Sequence, residues 1–239
     1  PEALSTARRR LVFEELLVLQ LGMAEIRRAG VRENPYPLKK DYTKEFAALL
    51  PFTMTGAQQR AVQDGIRDMQ GPHPMNRLIQ GDVGSGKTAV AAALCHTVIQ
   101  NGFQAALMAP TEILARQHYE NLAPLFEKFG LRCALLTGST KARERRDILE
   151  NLALGSIDLC IGTHALLTED VSYARLGLVI TDEQHRFGVN QRAALGQKAE
   201  NPHMLVLSAT PIPRTLALII YGDLDAVSYT HLTLPTNSL

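Results

Sequence analysis

From Leu4 to about Arg28 apolar residues recur densely, at Leu11, Phe13, Leu16, Leu17, Leu19, Leu21, Met23 and Ile26. That density predicts one long helix whose broad apolar face packs against other structure. The stretch GVRENPYPLKK (30–40) breaks the rhythm with prolines and charges and reads as a linker. A short helix is expected near Tyr42 to Leu50, leading into PFTMTGAQQRAV. From Asn76 onward short apolar runs alternate with longer helical stretches. Candidate strands are RLIQ (77–80), QAALMA (104–109), RCALLT (132–137), IDLCIG (157–162), LGLVIT (176–181) and MLVLS (204–208). Several are almost continuously apolar, as strands covered on both faces must be. Such alternation implies an α/β fold: a mostly parallel central sheet flanked by helices, with right-handed crossovers. Ligands of these sheets bind beyond the carboxyl ends of the strands.

Composition narrows this picture only slightly. The 239 residues are 46% hydrophobic and 21% charged, an ordinary globular balance that supports a sizeable core. No apolar run has the length of a membrane span, and Arg8, Arg9 and Arg10 are unlike a signal sequence, so no membrane partner is expected. Cys95, Cys133 and Cys160 are widely spaced without metal-ligand rhythm, which suits a reduced cytoplasmic protein with buried thiols. A net charge of +1 and the absence of tryptophan mean that any nucleic-acid site is local, built from loops and helix ends.

The segment GDVGSGKT, Gly81 to Thr88, fits the phosphate-binding pattern G-x-x-x-x-G-K-[ST] between a predicted strand and a predicted helix. Gly81, Gly84, Ser85 and Gly86 would let backbone N–H groups close around phosphate oxygens at a helix N-terminus. Lys87 would reach the β- and γ-phosphates, and Thr88 would ligate Mg2+. Chance produces such a match in roughly one chain in a hundred of this length, before its placement is considered. In LVITDEQHRFG an apolar strand delivers Asp182 and Glu183 at its carboxyl end, beside the phosphate loop. Asp182 would hold the metal and Glu183 would orient and deprotonate the attacking water. His185 either couples the γ-phosphate to motion or makes a plain polar contact. A third strand ends in LSATPIPRT, where the hydroxyls of Ser208 and Thr210 are placed to bond those carboxylates and relay nucleotide state. An ordinary strand-to-helix turn opened by proline has the same composition.

The order GDVGSGKT, DEQH, SAT resembles the first RecA-like lobe of superfamily-two helicases and translocases. GDVGSGKT, DEQHRFGVNQR and ATPIPRTLA together closely resemble the RecG family of branched-DNA helicases. The transcription-repair coupling factors are near relatives, but they typically carry Phe in the phosphate loop and Glu-His after the DE pair, where this chain has Ser85 and Gln184-His185. The resemblance implies ATP and Mg2+ as cofactors and branched or duplex DNA as partner. It also implies an adenine-reading motif in PFTMTGAQ, with Gln58 at the base and Phe52 and Thr55 nearby. DNA contacts are implied at Thr111 and Glu112 of APTEILARQHY, at Thr137 and Gly138 of TGS, and at Thr163 and His164 of GTHAL. Coupling is implied at Ser208, Ala209, Thr210 and Arg214. Without the resemblance, the loop residues would read as turn formers between strands and helices.

The expected organisation is a helical linker segment (1–50), the RecA-like ATP-binding lobe (51–225), and a tail (226–239) that matches no family pattern and reads as foreign sequence. A chain that begins without methionine looks like a piece of a longer, monomeric, nucleoid-associated bacterial protein. A second RecA-like lobe and a wedge domain are expected outside it. Alone, the lobe is expected to bind Mg·ATP and turn it over very slowly, since the partner lobe's arginines are worth orders of magnitude in rate. A transporter ATPase is disfavoured, because no LSGGQ-like signature lies between the phosphate loop and Asp182. A nucleotide-dependent binding module without turnover is the non-enzymatic alternative. Arg143, Arg145 and Arg146 form a charged helix patch that is either a solvated face or a DNA contact.

Overall fold

The computed structural model describes residues 10, 12–15, 17, 18, 21, 33–182, 198–209 and, as backbone, 225–228. The elements run α1 (Thr43–Ala48), α2 (Gly56–Met69), β1 (Asn76–Gln80), α3 (Lys87–Gln100), β2 (Gln104–Met108), α4 (Glu112–Glu127), β3 (Cys133–Leu136) and α5 (Ala142–Ala153). They continue with β4 (Leu159–Gly162), a 3-10 turn (His164–Leu167), β5 (Leu176–Asp182), β6 (His203–Ser208) and β7 (Asp225–Ser228). Among the described residues there are seven strands in the order β3-β4-β2-β5-β6-β1-β7, and every pairing is parallel. The six strands predicted from apolar runs are all present, within two residues at each end.

The seventh strand was not legible. Asp225–Ser228 pairs with β1, in register from Arg77↔Asp225 to Gln80↔Ser228. Residues 226–228, where the expected tail begins, thus pair with β1 as part of the sheet. Four residues at a sheet edge are recruited by backbone hydrogen bonding, which leaves little side-chain signature.

Successive residues of each strand face opposite sides, and two cores follow. Ala105, Leu107, Leu159, Ile161, Leu178, Ile180, Leu205 and Leu207 point to one face, under α3 and α4. Ala106, Met108, Ala134, Leu136, Cys160 and Val179 point to the other, where Ile148 and Leu152 of α5 and Leu166 and Val171 cover them. The first face is two helical layers deep. Every residue of α3 from Val90 to Ile99 is buried, because α3 contacts the sheet on one side and α1 and α2 on the other. A helix enclosed in this way is apolar all round instead of amphipathic.

The proline-containing stretch expected to be a linker is part of this packing from Asn34 onward. Asn34 Nδ2 donates to the carbonyls of Met69 (3.0 Å) and Gly71 (2.9 Å), and Leu38 N donates to Met69 O (3.2 Å). Asn101 Oδ1 accepts the amides of Lys39 and Lys40 at 2.9 and 3.1 Å. Leu38 and Phe46 lie within the first core. The prolines stop helix formation, while tertiary hydrogen bonds satisfy the extended backbone that results. In the N-terminal helix the described residues are helical, and Val12, Phe13, Leu17, Val18 and Leu21 are exposed. Cys95 and Cys160 are buried and Cys133 is half-buried, all as free thiols. Burial pushes the Cys133 and Cys160 thiols up to about 12. No helix among the described residues is long and apolar enough to cross a membrane.

His203 staples the extended segment to the sheet. Its Nδ1 accepts Met75 N at 2.9 Å, and its Nε2 donates to Tyr36 O at 2.9 Å. This arrangement needs the neutral ring, and burial lowers its pKa to about 4 from 6.5. Below pH 6.5 the unfolded chain binds a proton that the folded one refuses. Stability is therefore full above pH 6.5 and falls as pH drops toward 4, by up to about 3 kcal/mol from this one group. Urea denaturation at pH 7.0 and pH 4.5 should show that loss, and His203→Gln, less stable at pH 7, should show a shallower fall.

Candidate nucleotide and nucleic-acid site

The phosphate loop grows directly out of the sheet. Gly81 N donates to Ser208 O at 3.1 Å, one step beyond the last β1–β6 pair, Gln80↔Ser208. The loop then closes through Ser85 N to Asp82 O at 3.1 Å. Gly84 and Gly86 have φ of 82° and 80°, a left-handed geometry that side chains resist. Gly86 caps α3 and offers no side chain, so the amides of the first turn point outward toward any anion placed there. Lys87 Nζ arches over the loop and donates to Gly81 O (2.6 Å) and Asp82 O (2.8 Å). Thr88 follows it, half-buried, in the first turn. Ser85 is buried, and its Oγ has no hydrogen-bond partner among the described residues.

Gln58 is already held by protein atoms. Its Oε1 accepts Thr55 N at 2.8 Å while Thr55 Oγ1 accepts Gln58 N at 3.3 Å, a reciprocal capping box that starts α2. Its Nε2 donates to Ser85 O at 3.0 Å. The carboxamide thus ties α2 to the phosphate loop, with one N–H and one lone pair left for a base. Phe52 lies exposed on the approach to α2.

Asp182 ends β5. One strand, β6, separates it from β1, so the carboxylate stands two strands from the phosphate loop instead of next to it. Its Oδ2 meets Nε2 of His118 at 2.6 Å, with side chains only 13% and 10% exposed. Ser208 is buried between the two motifs and Ala209 is half-buried behind it. Glu183, His185, Thr210 and Arg214 lie outside the described residues.

The predicted DNA contacts gather at the same edge of the sheet, after β2, β3 and β4. Thr111 caps α4, its Oγ1 accepting Leu114 N at 3.3 Å. Glu112 reaches across to the TGS turn: Oε1 accepts Ser139 N (3.1 Å) and Oε2 accepts the Ser139 hydroxyl (2.6 Å). The Ser139 hydroxyl, with the amides of Ser139 and Gly138, holds the Glu112 carboxyl below the usual carboxylate range. Thr137 is buried, with its hydroxyl 3.0 Å from Ser139 Oγ, whereas Gly138 is exposed. Thr163 is buried, its Oγ1 unpartnered among the described residues, and His164 is exposed beside it. The loops are in close contact at Gly162, where a Cβ would stand 2.1 Å from Leu136 O. In the basic patch, Arg145 engages Asp170 (2.8 Å) and Thr168 (2.8 Å), while Arg143 and Arg146 stay exposed. Arg145 is therefore committed to bracing α5 against the segment after β4.

Two residues here were not singled out from the sequence, His118 and Ser139. Ala115, His118, Leu122, Ala123 and Phe126 form the buried stripe of α4, so a polar ring among apolar positions was the available signal for His118. Ser139 carried none, since small polar residues in turns are commonplace.

Among the described residues no group of three or more His, Cys, Asp or Glu could hold a metal by itself. A cation would come with a nucleotide, held by phosphates, water and one or two protein oxygens. The outward amides of α3, Lys87, the Thr88 hydroxyl and the Asp182 carboxylate suit such a complex. A glycine loop joining a parallel strand to a helix, with an acidic strand end two strands away, defines a P-loop nucleotide-binding lobe of RecA-like architecture. Residues 55–219 match the DEAD/DEAH box helicase family, and the chain belongs to that family.

Its relatives are specific. It is 51% identical over 228 residues to the ATP-dependent DNA helicase RecG of Bacillus subtilis, covering 94% of this chain and 33% of that protein. It is 52% identical over 227 residues to RecG of Synechocystis, covering 94% of this chain and 27% of the other. Among solved structures, RecG bound to a three-way DNA junction superposes with a TM-score of 0.84 at 46% identity, over 98% of this chain and 32% of that one. The chain spans about a third of the length of the curated relatives it matches.

Replacing Gly162 with alanine drives a methyl into the Leu136 carbonyl, and no rotamer relieves a backbone clash. We expect Gly162→Ala to cost roughly 2–3 kcal/mol in chemical denaturation and to displace the TGS turn that follows Leu136.

Proposed function

We propose that this chain is the ATP-binding motor lobe of a DNA helicase that remodels branched DNA and stalled forks in recombination and repair. The observation that carries this reading is the convergence, on one edge of one parallel sheet, of a phosphate loop, an acidic strand end and three tied loops able to hold a nucleic-acid backbone. The 51% identity to a RecG helicase and the likeness to RecG on a three-way junction support the choice of substrate.

ATP binds with its phosphates on the first-turn amides of α3, and Lys87 swings from the Gly81 and Asp82 carbonyls to the phosphates. Thr88 and Asp182 would hold an accompanying Mg2+, whose charge would offset that of the phosphates. Glu183, next in the chain, orients water and takes its proton. Gln58 reads the adenine with its remaining donor and acceptor while keeping hold of Ser85, and Phe52 and Thr55 flank it. Ser208, Ala209, Thr210 and Arg214 carry nucleotide state across the sheet, with His185 at the γ-phosphate side. Thr111, Glu112, Thr137, Gly138, Thr163 and His164 line the strand track, where helix and turn amides are the phosphate-binding groups. Arginines that stabilise the transition state come from a second RecA-like lobe outside this chain, and a wedge domain selects the junction. On this reading the protein acts as a monomer on the nucleoid, in the bacterial cytoplasm.

Titration with a fluorescent ATP analogue and Mg2+, with phosphate release followed in parallel, tests the assignment. Saturable binding with negligible release is expected of the isolated lobe. Lys87→Ala should weaken binding about tenfold to a hundredfold, the worth of a charge-assisted hydrogen bond. Rapid release from the lobe alone would sink the two-lobe mechanism, and absence of binding would sink the nucleotide site.

A further inference from the structure

Helix α4 starts at the proposed strand track and ends far from it, yet one of its side chains reaches the hydrolytic carboxylate. The buried stripe of α4 is Ala115, His118, Leu122, Ala123 and Phe126, the spacing of a face laid on the sheet. Four of these positions are apolar. The fifth places an imidazole among apolar neighbours, where an unpaired nitrogen is costly, and its partner is Oδ2 of Asp182 at 2.6 Å. A carboxylate oxygen only accepts, so Nε2 carries the shared hydrogen.

The other paired histidine at the sheet shows what a purely structural role looks like. His203 bonds two backbone groups, Met75 N and Tyr36 O, at the amino end of its strand. His118 instead bonds a side chain at the carboxyl end of β5, with its ring at the edge where the phosphate loop opens. The contact also joins two elements in different functional zones. Glu112, six residues earlier and thus about 9 Å along the helix axis, holds Ser139 through both carboxylate oxygens. The rigid body of α4 is therefore fastened at its start to the TGS turn and in its middle to Asp182.

We propose that His118 is a positioning residue for hydrolysis: from the helix that begins at the strand track, it holds the Asp182 carboxylate in the orientation that receives the nucleotide's cation. This rests on the reading of Asp182 as the metal-holding carboxylate of an ATPase lobe. A nucleic-acid backbone seated on the N-terminus of α4 then acts on Asp182 through one helix and one hydrogen bond. Partners of this kind are typically worth tenfold to a hundredfold in metal affinity or activity.

The test uses a complete two-lobed helicase carrying this lobe, assayed for DNA-stimulated ATP hydrolysis. His118→Gln keeps an N–H near the position of Nε2, while His118→Asn is too short to reach Oδ2 and His118→Ala removes the donor. We expect Ala and Asn to lower kcat about tenfold or more and to raise the Mg2+ concentration at which binding of a fluorescent ATP analogue is half-maximal, with the KM for ATP within about twofold of wild type. Gln should restore kcat to within about threefold of wild type. Equal rates in Gln and Asn would overturn the proposal, as would kcat within twofold of wild type in Ala. Should Ala fail to fold, as judged by thermal melting, the Gln–Asn pair decides alone. A wild-type protein that shows no Mg2+-dependent nucleotide binding would instead refute the ATPase reading itself.

Discussion

Parallel pairing of β1 with β6, and of β6 with β5, is the constraint on which the site depends. In a parallel sheet every strand runs the same way, so each connection must cross a face and every functional loop leaves from the same edge. The phosphate loop after β1, Ser208 at the end of β6 and Asp182 at the end of β5 therefore stand in a row. The Gly81–Ser208 hydrogen bond extends the ladder into the loop itself, so the first residue of the loop inherits the register of the sheet. With β6 in the middle, the phosphate loop and the acidic strand end are held two strands apart. That gap is the width in which a triphosphate and its cation sit on the proposed reading.

Residues at this edge bond one another across motif boundaries. Gln58 holds Ser85, Glu112 holds Ser139, and His118 meets Asp182. Each tie joins a helix to a loop or strand end elsewhere along the edge: α2, ahead of β1, to the phosphate loop, and α4, after β2, to the turn after β3 and to the end of β5. The buried tie at Gln58 and the nearly buried one at His118 weigh most, because water competes poorly for their partners. Glu112 is open to solvent, so its bond to Ser139 sets the shape of the turn more than its stability. A site built this way keeps its amides and carboxylates oriented before a ligand arrives, and whatever moves one helix moves a second motif with it.

The two helical layers over one face explain the tightness of this arrangement. α3 is enclosed from Val90 to Ile99, so its N-terminus cannot shift without disturbing α1, α2 and the sheet together. The stretch from Asn34 to Lys40 adds a strap across this layer, fixed by Asn101 on one side and His203 on the other. The amides of the phosphate loop are thus mounted on the most deeply packed helix among the described residues.

Local chemistry by itself determined much of this protein. Continuous apolar runs announced six buried strands, because both faces of a parallel sheet are covered and leave no room for polar alternation. Gly84, Gly86 and Lys87 announced the phosphate loop, because left-handed backbone and a lysine at a helix start are written in residue type. Only the tertiary structure decided the rest. Strand order, with β6 between β1 and β5, follows from which helices cross which face, and no run of residues encodes it. The edge strand at Asp225–Ser228 exists through backbone pairing with β1, and the apparent linker at Asn34–Lys40 is ordered by acceptors more than thirty residues away. His118 read as one polar letter in an apolar stripe. Its meaning came from a carboxylate sixty-four positions later in the chain, a distance that only folding closes.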